Sequence, residues 1–179
     1  MRVLSLFFLL VLVFVEIGGS RPAEAAPVPI FPIPVHLKAS ESLYDTGAVQ
    51  IELLENGVLQ LSEIDFSKGE DFKNVKKTMI PTIAAWRTFI RECDEIGLWR
   101  WKESYVELGV LDGLEWSVEV AFEDEKGEMV RSVKSRGVNQ FPFGRSTSEE
   151  RSEEYKAFWE AVKKLMDVPG WDIETMLFD

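Results

Sequence analysis

Trp99-Arg100-Trp101 sets two indoles two residues apart, with Arg100 between them and Lys102 following. On an extended strand this spacing sends both rings to one face and both bases to the other. Aromatic faces bordered by polar groups stack on sugars or on a partner's side chains. Three polar residues sit in turn-forming contexts further on: Asp112 before a glycine, Asn139 two residues after Gly137, and Arg145 at the end of the stretch GVNQFPFGR, residues 137–145. Trp99, Trp101, Asp112, Asn139 and Arg145 are therefore the candidate ligand contacts. A competing reading makes both tryptophans the inner face of a central strand under helices, because strand alternation alone accounts for them.

Catalytic chemistry finds less support. Paired carboxylates run glycoside hydrolysis, but with 31 acids in the chain some pairs fall close together by number alone. Most lie on faces expected to be exposed, where their pKa values stay ordinary. His36 is the only histidine and Cys93 the only cysteine. Together they are too few for a zinc site of usual composition, and His36 lies in a proline-rich stretch poorly suited to a rigid base. No glycine-rich phosphate loop and no calcium-loop pattern is present, and Glu123-Asp124-Glu125 reads as a solvated turn. The expectation is no catalytic residue, no metal and no cofactor. Cys93 falls on the apolar stripe of a predicted helix and reads as a buried thiol.

Charge and leader bound the setting. Residues 1–25 have Arg2, a nearly unbroken apolar run of 13 residues from 3 to 15, helix breakers, and Ala23-Glu24-Ala25 as a cleavage site. This is the pattern of a secretory signal peptide. The run falls short of the ~20 residues that span a bilayer, so no membrane span is expected in the mature chain. The leader's two acids and two bases cancel, and the formal charge of −11 belongs to the remaining residues. Such a balance disfavours nucleic acid and anionic lipid as partners. About 154 residues remain, enough for one domain with a sizeable core. With one cysteine, an exported chain has no internal disulfide and must rest on that core.

The elements follow from periodicity. Prolines at 27, 29, 32 and 34 suggest an extended arm or edge segment, so residues 26–47 are assigned as a proline-rich arm and 48–179 as a single domain. Val49, Ile51 and Leu53 alternate with polar residues as a strand leading to Asn56-Gly57. A two-residue turn there would mix faces. A three-residue loop, Glu55 to Gly57 with Gly57 left-handed, pairs Leu53 with Leu59 and Ile51 with Leu61. Residues 67–77 read as a polar loop. Thr82 is the expected cap of a helix whose stripe is Ile83, Trp86, Phe89, Ile90 and Cys93, ended by Gly97. A strand is expected over 98–105, a second over 116–122, a charged turn at 123–127 and a weaker, near-edge strand over 128–136. The last helix is expected to be capped within Ser146-Thr147-Ser148, with Tyr155, Phe158, Trp159, Val162, Leu165 and Met166 on its inner face and Pro169-Gly170 as its stop. The predicted fold is α+β: an antiparallel sheet of about five strands in the order ββ-α-βββ-α, with two helices on one face.

Trp86-x-x-Phe89, Gly97-Leu98-Trp99-x-Trp101 with Tyr105, Asp112-Gly113-x-x-Trp116-Ser117, Gly137-x-Asn139-x-Phe141-Pro142 and Phe158 on a closing helix form a set of spaced motifs. Across residues 81–166 it resembles a bacterial domain family with a W-x-x-F helix, a W-x-W strand, a D-G-x-x-W strand and a G-x-N-x-[YF]-P loop. The resemblance implies a bacterial source and a single α+β domain, and no activity. The expected function is that of an exported, non-catalytic binding or interaction module with a protein or glycan partner. The alternatives are an inhibitor of an extracellular enzyme, acting through residues 137–145, and a carboxylate-dependent glycan hydrolase.

Overall fold

A computed structural model describes residues 31–43, 46–68, 73–106, 113–143, 151–168 and 171. The leader, Asp112, Arg145 and Pro169-Gly170 lie outside the described residues. Seven strands form one sheet: β1 (Ile33–Leu43), β2 (Gly47–Leu53), β3 (Leu59–Asp65), β4 (Lys73–Met79), β5 (Ser104–Val106), β6 (Leu114–Glu123) and β7 (Met129–Val138). Their spatial order is β4-β3-β2-β1-β6-β7-β5. Helices α1 (Ile83–Glu95) and α2 (Glu153–Leu165) pack on one face, and their apolar stripes join the inward residues of the sheet in a single buried cluster. The α+β class holds. The count of about five strands and the all-antiparallel arrangement do not, because β5 runs parallel to β7.

The largest departure from expectation is β1. Residues 33–43, assigned to a proline-rich arm, form the middle strand of the sheet, pairing with β2 on one side and β6 on the other. Proline is tolerated because Pro34 lies at the point where the β1–β6 register shifts, a bulge that asks for no ladder donor there. Beyond it, Leu37, Ala39 and Glu41 point inward and are buried. A charged residue at the third inward position hides the alternation from a hydrophobicity reading.

The hairpin between β2 and β3 has the expected register, Leu53 opposite Leu59 and Ile51 opposite Leu61. Gly57 adopts φ +77°, as a bulged three-residue loop requires. The polar stretch expected as a loop over 67–77 instead supplies β4 from Lys73 onward. Its lysines and largely exposed side chains are those of an edge strand that resists pairing with other chains.

Helix α1 is capped by the Thr82 hydroxyl, which accepts from the Ala85 N–H at 3.1 Å, and Gly97 beyond its end takes φ +70°. Trp86, Phe89, Ile90 and Cys93 are buried, while Ile83 at the first position stays exposed. Instead of the strand expected over 98–105, a 3-10 turn follows at Leu98–Arg100, and only Ser104–Val106 pairs. Leu98, which on a strand would share the outer face with Arg100 and Lys102, is fully buried.

Strand β6 has the expected alternation, with Trp116, Val118, Val120 and Phe122 inward. The charged turn closes on Asp124, whose carboxylate accepts from the backbone of Lys126 and Glu128. Helix α2 carries the expected inner face, but its cap is Ser152, not residues 146–148. Its end also comes earlier than the expected stop. Asp167 at φ +50° lets its own N–H and that of Val168 return to the carbonyls of Lys164 and Lys163, both at 3.1 Å.

Candidate functional site

Two arrangements of polar side chains stand out on opposite faces of the sheet. The inner one joins Glu41, Arg151 and Tyr155. Glu41 is fully buried at the middle of β1. Arg151, just ahead of the α2 cap, donates from Nε to Oε1 at 3.0 Å and to Oε2 at 3.3 Å, and from Nη2 to Oε1. The Tyr155 hydroxyl donates to Oε2 at 2.8 Å. Burial holds the Tyr155 phenol well above its ordinary pKa, and the negative charge of Glu41 adds to the rise. The Tyr155 ring is enclosed by Trp101, Trp116, Phe141 and Trp159. A carboxylate so tied and shut in serves to anchor β1 to the entry of α2. Its lone pairs go to the protein's own donors rather than to a substrate.

The same interior claims most of the candidate ligand residues. Trp101 is buried and stacks on Tyr155 with centroids 6.3 Å apart. Its indole nitrogen is buried without a hydrogen-bond partner. Trp99 is half-buried. Its N–H donates to Asp94 at 2.7 Å, and Arg131 lies over its ring at 5.7 Å. The 3-10 turn therefore separates the two indoles into different surroundings. Asn139, at φ +52°, is buried; its Oδ1 accepts from the Leu114 N–H at 2.8 Å, and its own N–H donates to the Leu114 carbonyl at 3.0 Å.

These contacts explain the motif in physical terms. A Cβ on Gly113 would fall 2.0 Å from the Asn139 amide, so this residue must be glycine for the asparagine to clamp the start of β6. A Cβ on Gly137 would fall 2.3 Å from Trp116 Nε1, which donates to the Gln140 carbonyl at 2.8 Å. Gly137 sits in β7 and is needed for this close approach rather than for a positive φ. Phe141 stacks on Trp116 at 6.2 Å, and the loop then exposes Phe143 at φ +58°.

The outer face is the second arrangement, and no sequence motif marks it. One cross-strand row runs Gln50, Ser40, Ser117, Arg136 and Ser104, from β2 through β1, β6 and β7 to β5. Ser40 and Ser117 share a hydrogen bond of 2.8 Å between their hydroxyls. The next row holds Ser42, Glu115, Val138 and Val106. Between these rows lies an open groove of about 450 Å³. On the other side of the serine row, Glu52, Lys38, Glu119 and Lys134 make a charged row that neutralises itself. Lys134 meets Glu119 at 2.9 Å and holds its carboxyl below the usual range, and Lys38 and Lys73 both meet Glu52. Arg136 and Glu115, by contrast, are exposed at the groove and make no ion pair among the described residues. The available signal was the pair Ser40 and Ser42, two positions apart near the end of β1, legible only once β1 is known to be a strand.

Among the described residues no group of three or more His, Cys, Asp or Glu side chains is placed to hold a metal ion. No helix among them is long and apolar enough to cross a membrane. Comparison with family models and with curated proteins finds no match to the chain in either.

Proposed function

We propose that this protein is an exported, non-catalytic binding module whose binding surface is the open face of its sheet. The observation that carries the reading is the groove beside Arg136. Both helices cover one face, and the other presents a concavity of about 450 Å³ lined by unpaired charges and hydroxyls, within the ~300–1,000 Å³ of small-molecule sites. Among the described residues the groove is lined by one carboxylate, Glu115, where paired-carboxylate hydrolysis uses two. The leader supports export.

One observation favours the inhibitor reading as a second possibility. Phe143 is 57% exposed on a loop whose base is pinned by Phe141 and by the Trp116–Gln140 hydrogen bond. A rigid base with an exposed apolar tip suits insertion into a partner's pocket.

The test immobilises the mature chain and passes spent culture medium over three forms: wild type, Ser42→Phe/Ser117→Phe, which fills the groove, and Phe143→Ala. Retention of a defined species by wild type and Phe143→Ala, but not by the filled groove, is the expected outcome. Retention by the filled groove and loss in Phe143→Ala would move the site to the loop. Equal retention by all three would remove both surfaces from consideration.

A further inference from the structure

We propose that the groove takes an acidic saccharide, with a uronate carboxylate on Arg136 and ring hydroxyls on the serine row. This inference rests on the binding-module reading and names its ligand class. The first argument is charge. The chain has 31 acids against 20 bases; Arg87, Arg100, Lys102, Lys126 and Arg136 are exposed without an ion pair among the described residues, and of these Arg136 is the one that lines the groove. Among the described bases on the outer face, His36, Lys38, Lys73 and Lys134 all have carboxylate partners. Arg136 has none. Lys102, two residues before the row's Ser104, is also exposed and without an ion pair. The guanidinium fork matches a carboxylate through two parallel hydrogen bonds, which are stronger than neutral ones.

The second argument is what surrounds Arg136. Ser117 and Ser104 flank it across the strands, and Ser40 follows Ser117. Hydroxyls donate and accept, as a sugar hydroxyl does, and the strand spacing of about 4.8 Å sets them at regular intervals across the sheet. Glu115, in the next row and diagonal to Arg136 across the β6–β7 pair, is an acceptor for ring hydroxyls and disfavours a second negative charge beside that of the carboxylate. Val106 and Val138 offer a small apolar wall for the C–H face of a ring. A phosphate dianion would meet Glu115, and a fatty acid would lack apolar surface for its tail. A ligand with one carboxylate per ring and several hydroxyls satisfies every group present. The chain's net negative charge opposes approach only at low salt, since at 0.1 M charges beyond ~10 Å are largely screened.

Backbone amide shifts of the full mature chain, titrated at 0.1 M salt, provide the test. The probes are trigalacturonate, the neutral trisaccharide maltotriose, acetate and inorganic phosphate. Trigalacturonate is expected to shift Ser40, Ser117 and Arg136, with maltotriose at least about tenfold weaker, the factor set by loss of one charge-assisted pair. Arg136→Gln should abolish the preference and Arg136→Lys should keep part of it, both with the remaining spectrum unchanged. Equal binding of both trisaccharides at these residues would overturn the uronate assignment while leaving the binding module intact. Acetate or phosphate matching trigalacturonate would reduce the site to a bare anion contact and overturn the saccharide. No shift with any probe would overturn the inference, while the retention assay judges the module by itself.

Discussion

Replacing Glu41 by alanine removes the buried carboxylate that accepts from Arg151 and Tyr155. The Arg151 side chain is 11% exposed and Glu41 is fully buried, so water replaces little of what is lost. Removing one member of a buried ion pair costs about 3–5 kcal/mol, because the remaining charge stays desolvated. The Tyr155 hydroxyl loses its charged acceptor in the same step. Total stabilities of single domains are ~5–15 kcal/mol, so Glu41→Ala should forfeit a large share. Urea unfolding followed by tryptophan fluorescence reads this directly. With a slope of ~1–3 kcal/mol per molar, the midpoint should fall by about 2 M. Tyr155→Phe removes one hydrogen bond to a charged acceptor and should cost about 1.5–3 kcal/mol. The triple replacement Glu41→Leu, Arg151→Met, Tyr155→Phe should recover most of the loss, because an apolar triad of similar volume carries no desolvated charge. The two arms together test the reasoning. A loss below about 1 kcal/mol in Glu41→Ala, the scale of an exposed pair, would refute the buried anchor. A triple variant no better than the single one would refute the desolvation argument.

Further outcomes follow from the same contacts. The Tyr155 phenol is held above its ordinary pKa in the folded chain, so the folded state keeps a proton that the unfolded state releases at alkaline pH. Its contribution is complete below the unfolded value of about 10 and is lost as pH rises beyond it; alkaline unfolding should flatten in Tyr155→Phe. Burial pushes the Cys93 thiol up, so a thiol reagent at pH 8 should label the native chain only at the rate of opening, and labelling faster than unfolding would count against a buried helix face. Gly137→Ala brings a methyl within 2.5 Å of the Gln140 carbonyl as well as the Trp116 indole, and should destabilise by about 1–3 kcal/mol as overpacking does, measured by thermal unfolding. Thr82→Ala should cost about 1 kcal/mol through loss of the α1 cap, and an unchanged melting temperature would show that the cap is redundant.

Local pattern was enough wherever an element's signal lies within its own residues. The register at Asn56-Gly57, the alternation of β6, the caps of α1 and the inner face of α2 were legible because hydrophobic period and turn chemistry act over a few positions. Tertiary structure decided the rest. β1 is a central strand although its sequence carries prolines and a glutamate, because Pro34 falls at a bulge and Glu41 finds Arg151 and Tyr155 far along the chain. No local pattern announces that pairing. Trp99 and Trp101 part company because Gly97 leads into a 3-10 turn rather than a strand, and the glycines of the motif are needed for side chains that approach from other strands. The groove on the outer face was out of reach for the same reason. Ser40, Ser117, Arg136 and Ser104 are scattered in sequence and become neighbours only when four strands are laid side by side.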